Sequence, residues 1–225
     1  MDKINQILYN LKNNIPQALI RINDGEAQGI LEPGCTVARG DQYVPQDLSD
    51  ALREALQHEQ ENYWVGLPCD KCATSKWYNR IKDLVRPDYE YLTKAVVTTN
   101  RNWKLVIEEF PKVLEGRRVH WVSGQDQNLS NLREKTGIKV ATHIQTPLKN
   151  SWSLYKQVSQ WGKDFQKGSV VILSSGPLSR VLAKEWFQQN PEVTFLDVGS
   201  VFDPFTRNVW HSCHRGTLTK CEGCN

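Results

Sequence analysis

The sequence predicts a Rossmann-like α/β fold, a mostly parallel sheet with helices on both faces, ending in a Cys/His-rich tail. Three observations predict it. Short apolar runs of strand length alternate with longer stretches whose apolar residues recur at helical spacing. The intervening helices are long enough to serve as crossover connections, which favours parallel pairing under two helical layers. The chain has 225 residues, 39% of them hydrophobic, which suits one soluble domain and leaves little room for two.

The first helix is predicted over 2–14, where Ile4, Ile7, Leu8 and Leu11 share a face, and Pro16 stops it before a buried strand at 18–22. Leu48, Ala51, Leu52, Ala55 and Leu56 repeat at helical spacing over 47–60 and lead into a strand at 63–67. Further strands are expected at 95–99, 118–123, 138–144, 169–174 and 194–198, separated by helical patterns near 75–85, 101–114, 127–135, 152–165 and 178–189. From Asn208 the apolar period is lost, so residues 1–207 are read as the domain and 208–225 as a tail packed on it. Ligands of such sheets bind beyond the carboxyl ends of the strands. The loops that matter are therefore 23–29, 100–102, 124–127, 145–150, 175–178 and 199–204.

Composition excludes several classes. With 28 Lys and Arg against 25 Asp and Glu, the net charge of +3 is too small for a nucleic-acid coat, and nucleic acid is not an expected partner. No apolar run approaches the roughly 20 residues of a membrane span, and the amino terminus lacks a secretory signal, so a cytoplasmic location is expected. In that compartment six cysteines favour reduced thiols or a metal site over disulfides.

The most informative segment is 19–26, Leu-Ile-Arg-Ile-Asn-Asp-Gly-Glu, a strand ending in two carboxylates around a glycine. Asp24 and Glu26 are hard oxygen donors suited to Mg²⁺ or Mn²⁺ sharing its shell with phosphate oxygens and water. Gly25 would let the backbone turn tightly, and Arg21 would neutralise the acids or hold a phosphate. The competing reading makes Asp24 a helix cap and Glu26 a first-turn acid.

Arg-x-x-Asp-Gly-Glu after the first strand resembles the signature of the GT-D-type glycosyltransferases, whose Asp-x-Glu motif serves metal-dependent use of a nucleotide sugar. Asn23 stands where the family pattern has a small residue. A second stretch is similar to that family: a strand over 170–174, the turn Ser175-Gly176-Pro177, a helix to about Gln189, and Asp197-Val198-Gly199 at the end of a further strand. The resemblance implies that Asp24 and Glu26 bind the divalent metal and the donor diphosphate, supported by Arg21, Asn23 and Gly25. Ser174, Ser175 and Gly176 make physical sense as a phosphate cradle or as a plain strand-to-helix turn. Asp197 and Asp203 are candidates to bind an acceptor hydroxyl or act as base. Asn100 and Arg101, at another strand edge, are candidates for phosphate or uracil contact. Trp103 and Trp152 are candidates to stack on a base or sugar ring, and His143 to reach the cleft.

Cys69 with Cys72 and Cys221 with Cys224 form two Cys-x-x-Cys hooks, enough to complete one structural Zn²⁺ site if the tail folds back onto the loop after residue 67. His211, Cys213 and His214 supply substitute ligands. The reading that follows is a metal-dependent glycosyltransferase that moves a hexose from a nucleotide diphosphate sugar, with a UDP sugar implied by the resemblance, to a hydroxyl of a glycan or glycoprotein. Homo-oligomerisation is compatible with it. The alternatives are another Rossmann-like nucleotide-dependent transferase, such as a methyltransferase, and a non-enzymatic zinc-stapled binding module with a basic tail.

Overall fold

A sheet of seven parallel strands forms the centre of the computed structural model, which describes residues 2–37, 42–71, 75–211 and 214. In chain order, helix α1 (Lys3–Lys12) precedes β1 (Ala18–Arg21) and α2 (Asp24–Leu31), and a short antiparallel hairpin pairs β2 (Thr36–Val37) with β3 (Gln42–Tyr43). Next come α3 (Gln46–Gln57), β4 (Tyr63–Leu67), α4 (Ser75–Ile81), β5 (Leu92–Lys94) and α5 (Trp103–Leu114). The second half runs β6 (Val119–Gly124), α6 (Leu129–Thr136), β7 (Val140–Thr146), α7 (Tyr155–Val158), β8 (Val170–Ser174), α8 (Leu178–Gln189), β9 (Thr194–Asp197) and α9 (Asp203–Thr206).

The strand order is β5-β4-β1-β9-β8-β6-β7. From β1 the chain steps outward through β4 to β5, crosses to β6 and β7, and returns through β8 to β9, which pairs with β1. The two halves therefore meet between β1 and β9, and the loops at their carboxyl ends face each other across the crevice that such a reversal creates.

Alternation along the strands divides the core between the two faces. Ala18, Ile20, Tyr63, Val65, Val171 and Leu173 pack under α2, α3 and α8, whereas Leu19, Trp64, Val170 and Ile172 pack under α1, α5 and α6. Both sides are buried, which is why β1, β4, β8 and β9 carry almost no exposed position. Gln17 satisfies the polar groups within this core: it accepts from Trp64 Nε1 at 2.9 Å and donates to the Ile7 carbonyl at 2.8 Å.

Two predicted elements are corrected. The strand expected at 95–99 lies instead at Leu92–Lys94, and 95–99 is a run of turns, with Val97 N–H donating to Lys94 O and Thr99 N–H to Val96 O. Ala95 and Val97 are buried all the same, so a short apolar run here meant burial rather than extension. The helix expected over 152–165 is broken into a 3₁₀ turn (Ser151–Leu154), α7 and a second 3₁₀ turn (Ser159–Lys163). Close packing on α8 shapes it: a Cβ on Gly162 would overlap the Trp186 indole, whose Nε1 donates to Ser159 O at 2.8 Å.

Among the described residues no helix is long and apolar enough to cross a membrane. Most of the 208–225 tail lies outside the described residues; Asn208 to His211 and His214 lie within them.

Candidate active site

The carboxyl ends of β1, β6, β7, β8 and β9 surround a cavity of about 1130 Å³. Its lining includes Arg21, Asn23, Asp24, Gly25, Glu26, Asn100, Ser174, Ser175, Gly176, Arg180 and Asp203, so most of the residues singled out from the sequence converge there.

The β1 edge is built by a helix start. Asn23 is the N-cap of α2, and its N–H donates to Glu26 Oε2 at 3.1 Å, half of a capping box. Asp24 is therefore the first helical residue and does not cap. Its carboxylate is exposed on the cavity wall, with no hydrogen bond or ion pair among the described residues. Glu26 is buried, its Oε1 3.2 Å from Arg180 Nη2. The tight turn expected of Gly25 is not there: Gly25 is helical, and a Cβ would make only ordinary contact with Val37. The glycines that a left-handed backbone requires at this site are Gly176 (φ 58°) and Gly199 (φ 53°). Gly199 is doubly constrained, since a Cβ would overlap the Arg21 guanidinium.

Two arginines tie the strand ends together. Arg21 Nε donates to Asp197 O at 2.9 Å, and its Nη1 to Ala95 O at 3.3 Å. Arg180 Nε donates to Arg21 O at 2.9 Å and its Nη1 to Gly176 O at 2.6 Å. Both pair with Asp197, Arg21 at 3.5 Å and Arg180 at 3.1 Å, although the second contact lacks hydrogen-bond alignment and leaves Asp197 Oδ2 without a bonded donor among the described residues. Asp197 is fully buried and does not line the cavity, so the expected contact with an acceptor is replaced by anchorage of Arg21 and Arg180. Arg180 was not legible from the sequence, where nothing separated it from any other polar residue on α8.

The Ser-Gly-Pro turn is less open than a phosphate cradle would be. Ser175 N–H donates to Ser179 Oγ at 2.7 Å, Ser174 Oγ donates to Gly199 O at 2.7 Å, and Ser175 Oγ accepts from Thr146 at 3.1 Å. These groups are committed to holding the turn against β7 and β9, which leaves the Gly176 backbone as its accessible part. Asn100 lies on the cavity rim, whereas Arg101 is exposed outside the lining.

On the β9 side, Asp203 is buried, its Oδ2 2.9 Å from His211 Nε2 and 3.4 Å from Arg207 Nη1. Burial pushes its carboxyl above the usual range although His211 and Arg207 pull the other way. Arg207 is clamped by Asp126 at 2.6 Å, and Asp126, Arg207 and His211 all line the cavity.

The remaining candidates serve packing. Trp103 donates to Val201 O and stacks on Phe205, Trp152 donates to Asp47 and stacks on Tyr155, and neither lines the cavity. His143 bonds Ser123 Oγ at 2.9 Å, also outside the lining. Cys69 is buried in the loop after β4, while Cys72, Cys213, Cys221 and Cys224 lie outside the described residues. His214 is not placed as a spare ligand: its Nδ1 accepts from His211 N–H and its Nε2 donates to Ser200 O.

Among the described residues no three His, Cys, Asp or Glu side chains converge as a ready-made metal cage. Mg²⁺ and Mn²⁺ need none when one or two carboxylates bind them and phosphate oxygens and water complete the shell. The free carboxylate of Asp24 fits that lesser requirement, whereas both Glu26 oxygens are engaged, Oε2 by the Asn23 N–H and Oε1 by Arg180.

The architecture defines a Rossmann-like α/β protein with a polar cavity at the carboxyl edge of its sheet. It is similar to three solved structures. One is described as a selenomethionine substituted structure of domain of unknown function 1792, with TM-score 0.65, 16% identity, and 88% of this chain and 77% of that chain covered. A second is described as a new glycosyltransferase (DUF1792) from Streptococcus sanguinis, with TM-score 0.64, 17% identity and coverage of 88% and 80%. The third is described as a highly conserved domain of unknown function 1792 with a distinct glycosyltransferase fold, with TM-score 0.62, 16% identity and coverage of 88% and 77%. The chain thus shares the overall fold that the sequence motifs suggested. No family model and no curated protein matches the sequence.

Proposed function

We propose that this protein is a metal-dependent glycosyltransferase that moves a hexose from a nucleotide diphosphate sugar, a UDP sugar in the first instance, to a hydroxyl of a glycan or glycoprotein. The observation that carries the reading is the placement of Asp24 and Glu26 at the end of β1, on the wall of a cavity of about 1130 Å³, in a fold shared with structures described as glycosyltransferases. Small-molecule sites commonly span about 300–1,000 Å³, so the cavity has room for a donor with part of an acceptor.

In this reading Asp24 holds a divalent cation, with Glu26 beside it. The bound cation supplies positive charge to the departing diphosphate. Arg180 fixes Glu26 relative to the Gly176 backbone, so the acidic edge and the turn opposite it keep one geometry. Arg21 and Arg180 both line the cavity, but their charges are matched by Asp197 and Glu26, so they hold the strand ends in place rather than add net positive charge. The arrangement is formed before substrate arrives, so little reorganisation is needed when charge develops.

A thermal-shift series with UDP, UDP-glucose, a GDP sugar and an adenosyl cofactor, each with and without Mn²⁺, should show stabilisation by the UDP compounds that depends on manganese. Asp24→Ala should lower the stability without nucleotide by no more than about 1 kcal/mol, because the side chain is exposed, makes no hydrogen bond or ion pair among the described residues, and acts only as a first-turn acid of α2. It should lower sugar transfer by about 10²-fold or more. Full turnover in that variant would refute the assignment.

A further inference from the structure

His211, which the sequence marks as a substitute zinc ligand in the tail, lines this site. We propose that His211 is the general base that activates the acceptor hydroxyl, with Asp203 as the positioning residue that orients it. This rests on the glycosyltransferase reading and deepens it.

Five contacts carry the proposal. Asp203, buried at the start of α9, places Oδ2 2.9 Å from His211 Nε2. When Asp203 is ionised its carboxylate only accepts, which assigns the proton to Nε2 and leaves Nδ1 as the basic nitrogen. His211 is half-exposed and lines the same cavity as Asp24, and Nδ1 has no partner among the described residues. The segment is fixed from behind: His211 N–H donates to His214 Nδ1 at 3.1 Å, and His214 Nε2 donates to Ser200 O at 2.9 Å. Asp203 is steadied in turn by Arg207, itself held by Asp126. The charged and titratable groups around the imidazole are therefore Asp203, Arg207, Asp126 and His214, from α9, the loop after β6 and the tail. A base oriented by a buried carboxylate and open on its other nitrogen has the geometry of a proton acceptor rather than of a packed core histidine.

The step balances without a further reactant. The acceptor oxygen forms a bond to the anomeric carbon of the donor sugar as its proton passes to His211 Nδ1. The bond from that carbon to the diphosphate oxygen breaks, and its electron pair leaves with the nucleoside diphosphate. One displacement of this kind inverts the anomeric configuration.

The test uses the full chain with Mn²⁺ and UDP-glucose, UDP-galactose or UDP-N-acetylglucosamine, reading UDP release with water as acceptor and the melting shift given by UDP. His211→Gln should lower kcat by about 10²-fold or more while keeping the UDP shift. Asp203→Asn should lower kcat while the UDP shift remains. NMR of the released sugar should show inversion. Wild-type turnover with undiminished turnover in His211→Gln, or retention of configuration, would overturn the base and leave the transferase reading standing. No UDP shift and no UDP release by the wild type would end both.

Discussion

Arg180 is the residue on which the candidate site turns. It is buried, and its guanidinium meets Glu26, Asp197, the Arg21 carbonyl and the Gly176 carbonyl, four groups from four parts of the chain. Removing one partner of a buried ion pair leaves the other charge desolvated and unpaired, at a cost of about 3–5 kcal/mol. Arg180→Leu is therefore expected to destabilise the fold by that order, measured by urea unfolding, despite the apolar character of leucine. A loss below about 1 kcal/mol would mean that Glu26 and Asp197 find other partners. The acidic motif around Asp24 was legible through its context, an Arg-x-x-Asp-Gly-Glu run at the end of the first strand, since an acid-Gly-acid triplet alone is common. The buried arginine was not, because a single Arg on a helix has the same local pattern whether it faces water or a carboxylate. The glycines illustrate the same limit: Gly25 drew attention beside the acids, yet the left-handed positions are Gly176 and Gly199.

At the scale of elements, helices with a strong apolar period or clear end signals were placed well. Helix α8 occupies Leu178–Gln189 as predicted, after the Gly-Pro turn, and β4 coincides with the predicted 63–67. Helix α6 shows what sets an end: Asn128 Oδ1 accepts from Ser130 N–H at 3.0 Å and from Asn131 N–H at 3.1 Å, and Gly137 closes the other end in a left-handed conformation. Asn128→Ala should cost about 1 kcal/mol, seen as a lower urea midpoint with unchanged slope. An unchanged midpoint would show that the Asn128 N–H bond to Thr206 O, which ties α6 to α9, suffices alone. The 95–99 segment was misread because side-chain burial, not backbone pairing, is what a short apolar run reports. The hairpin of β2 and β3 has two-residue strands, too short for any period to register.

For the molecule as a whole, pH dependence follows from buried imidazoles. His120 is buried against Phe165, and neither ring nitrogen has a hydrogen-bond partner among the described residues. Burial, reinforced by Arg118, holds its pKa below the usual histidine range, and burial does the same for His143 and His214. A depressed folded pKa means that the unfolded chain takes up the proton first. The stability is thus complete above the unfolded value near 6.5 and is lost as pH falls from there toward the folded value. Asp203 and Glu185, raised mainly by burial, act in the opposite direction: their contribution is complete below the ordinary carboxylate range and is lost as pH rises. His120→Leu isolates one term. Its unfolding free energy should fall less than that of the wild type between pH 7 and pH 5.5, and parallel curves would exclude His120 as a source.

The sequence by itself determined the layered α/β class, the alternation of the longer helices with the sheet strands, and the placing of Asp24 and Glu26 at a strand end. Those follow from periodicity and end signals carried by neighbouring residues. Only the tertiary structure decided that Arg180 engages Glu26, that Asp197 lies under the cavity rather than in it, and that His211 meets Asp203. Each of the first two contacts joins residues more than a hundred positions apart or hidden by burial, and the third depends on where the chain after α9 comes to rest. Such pairings are fixed by strand order and by the cost of burying a charge without a counter-charge, and neither is written in the spacing of adjacent side chains.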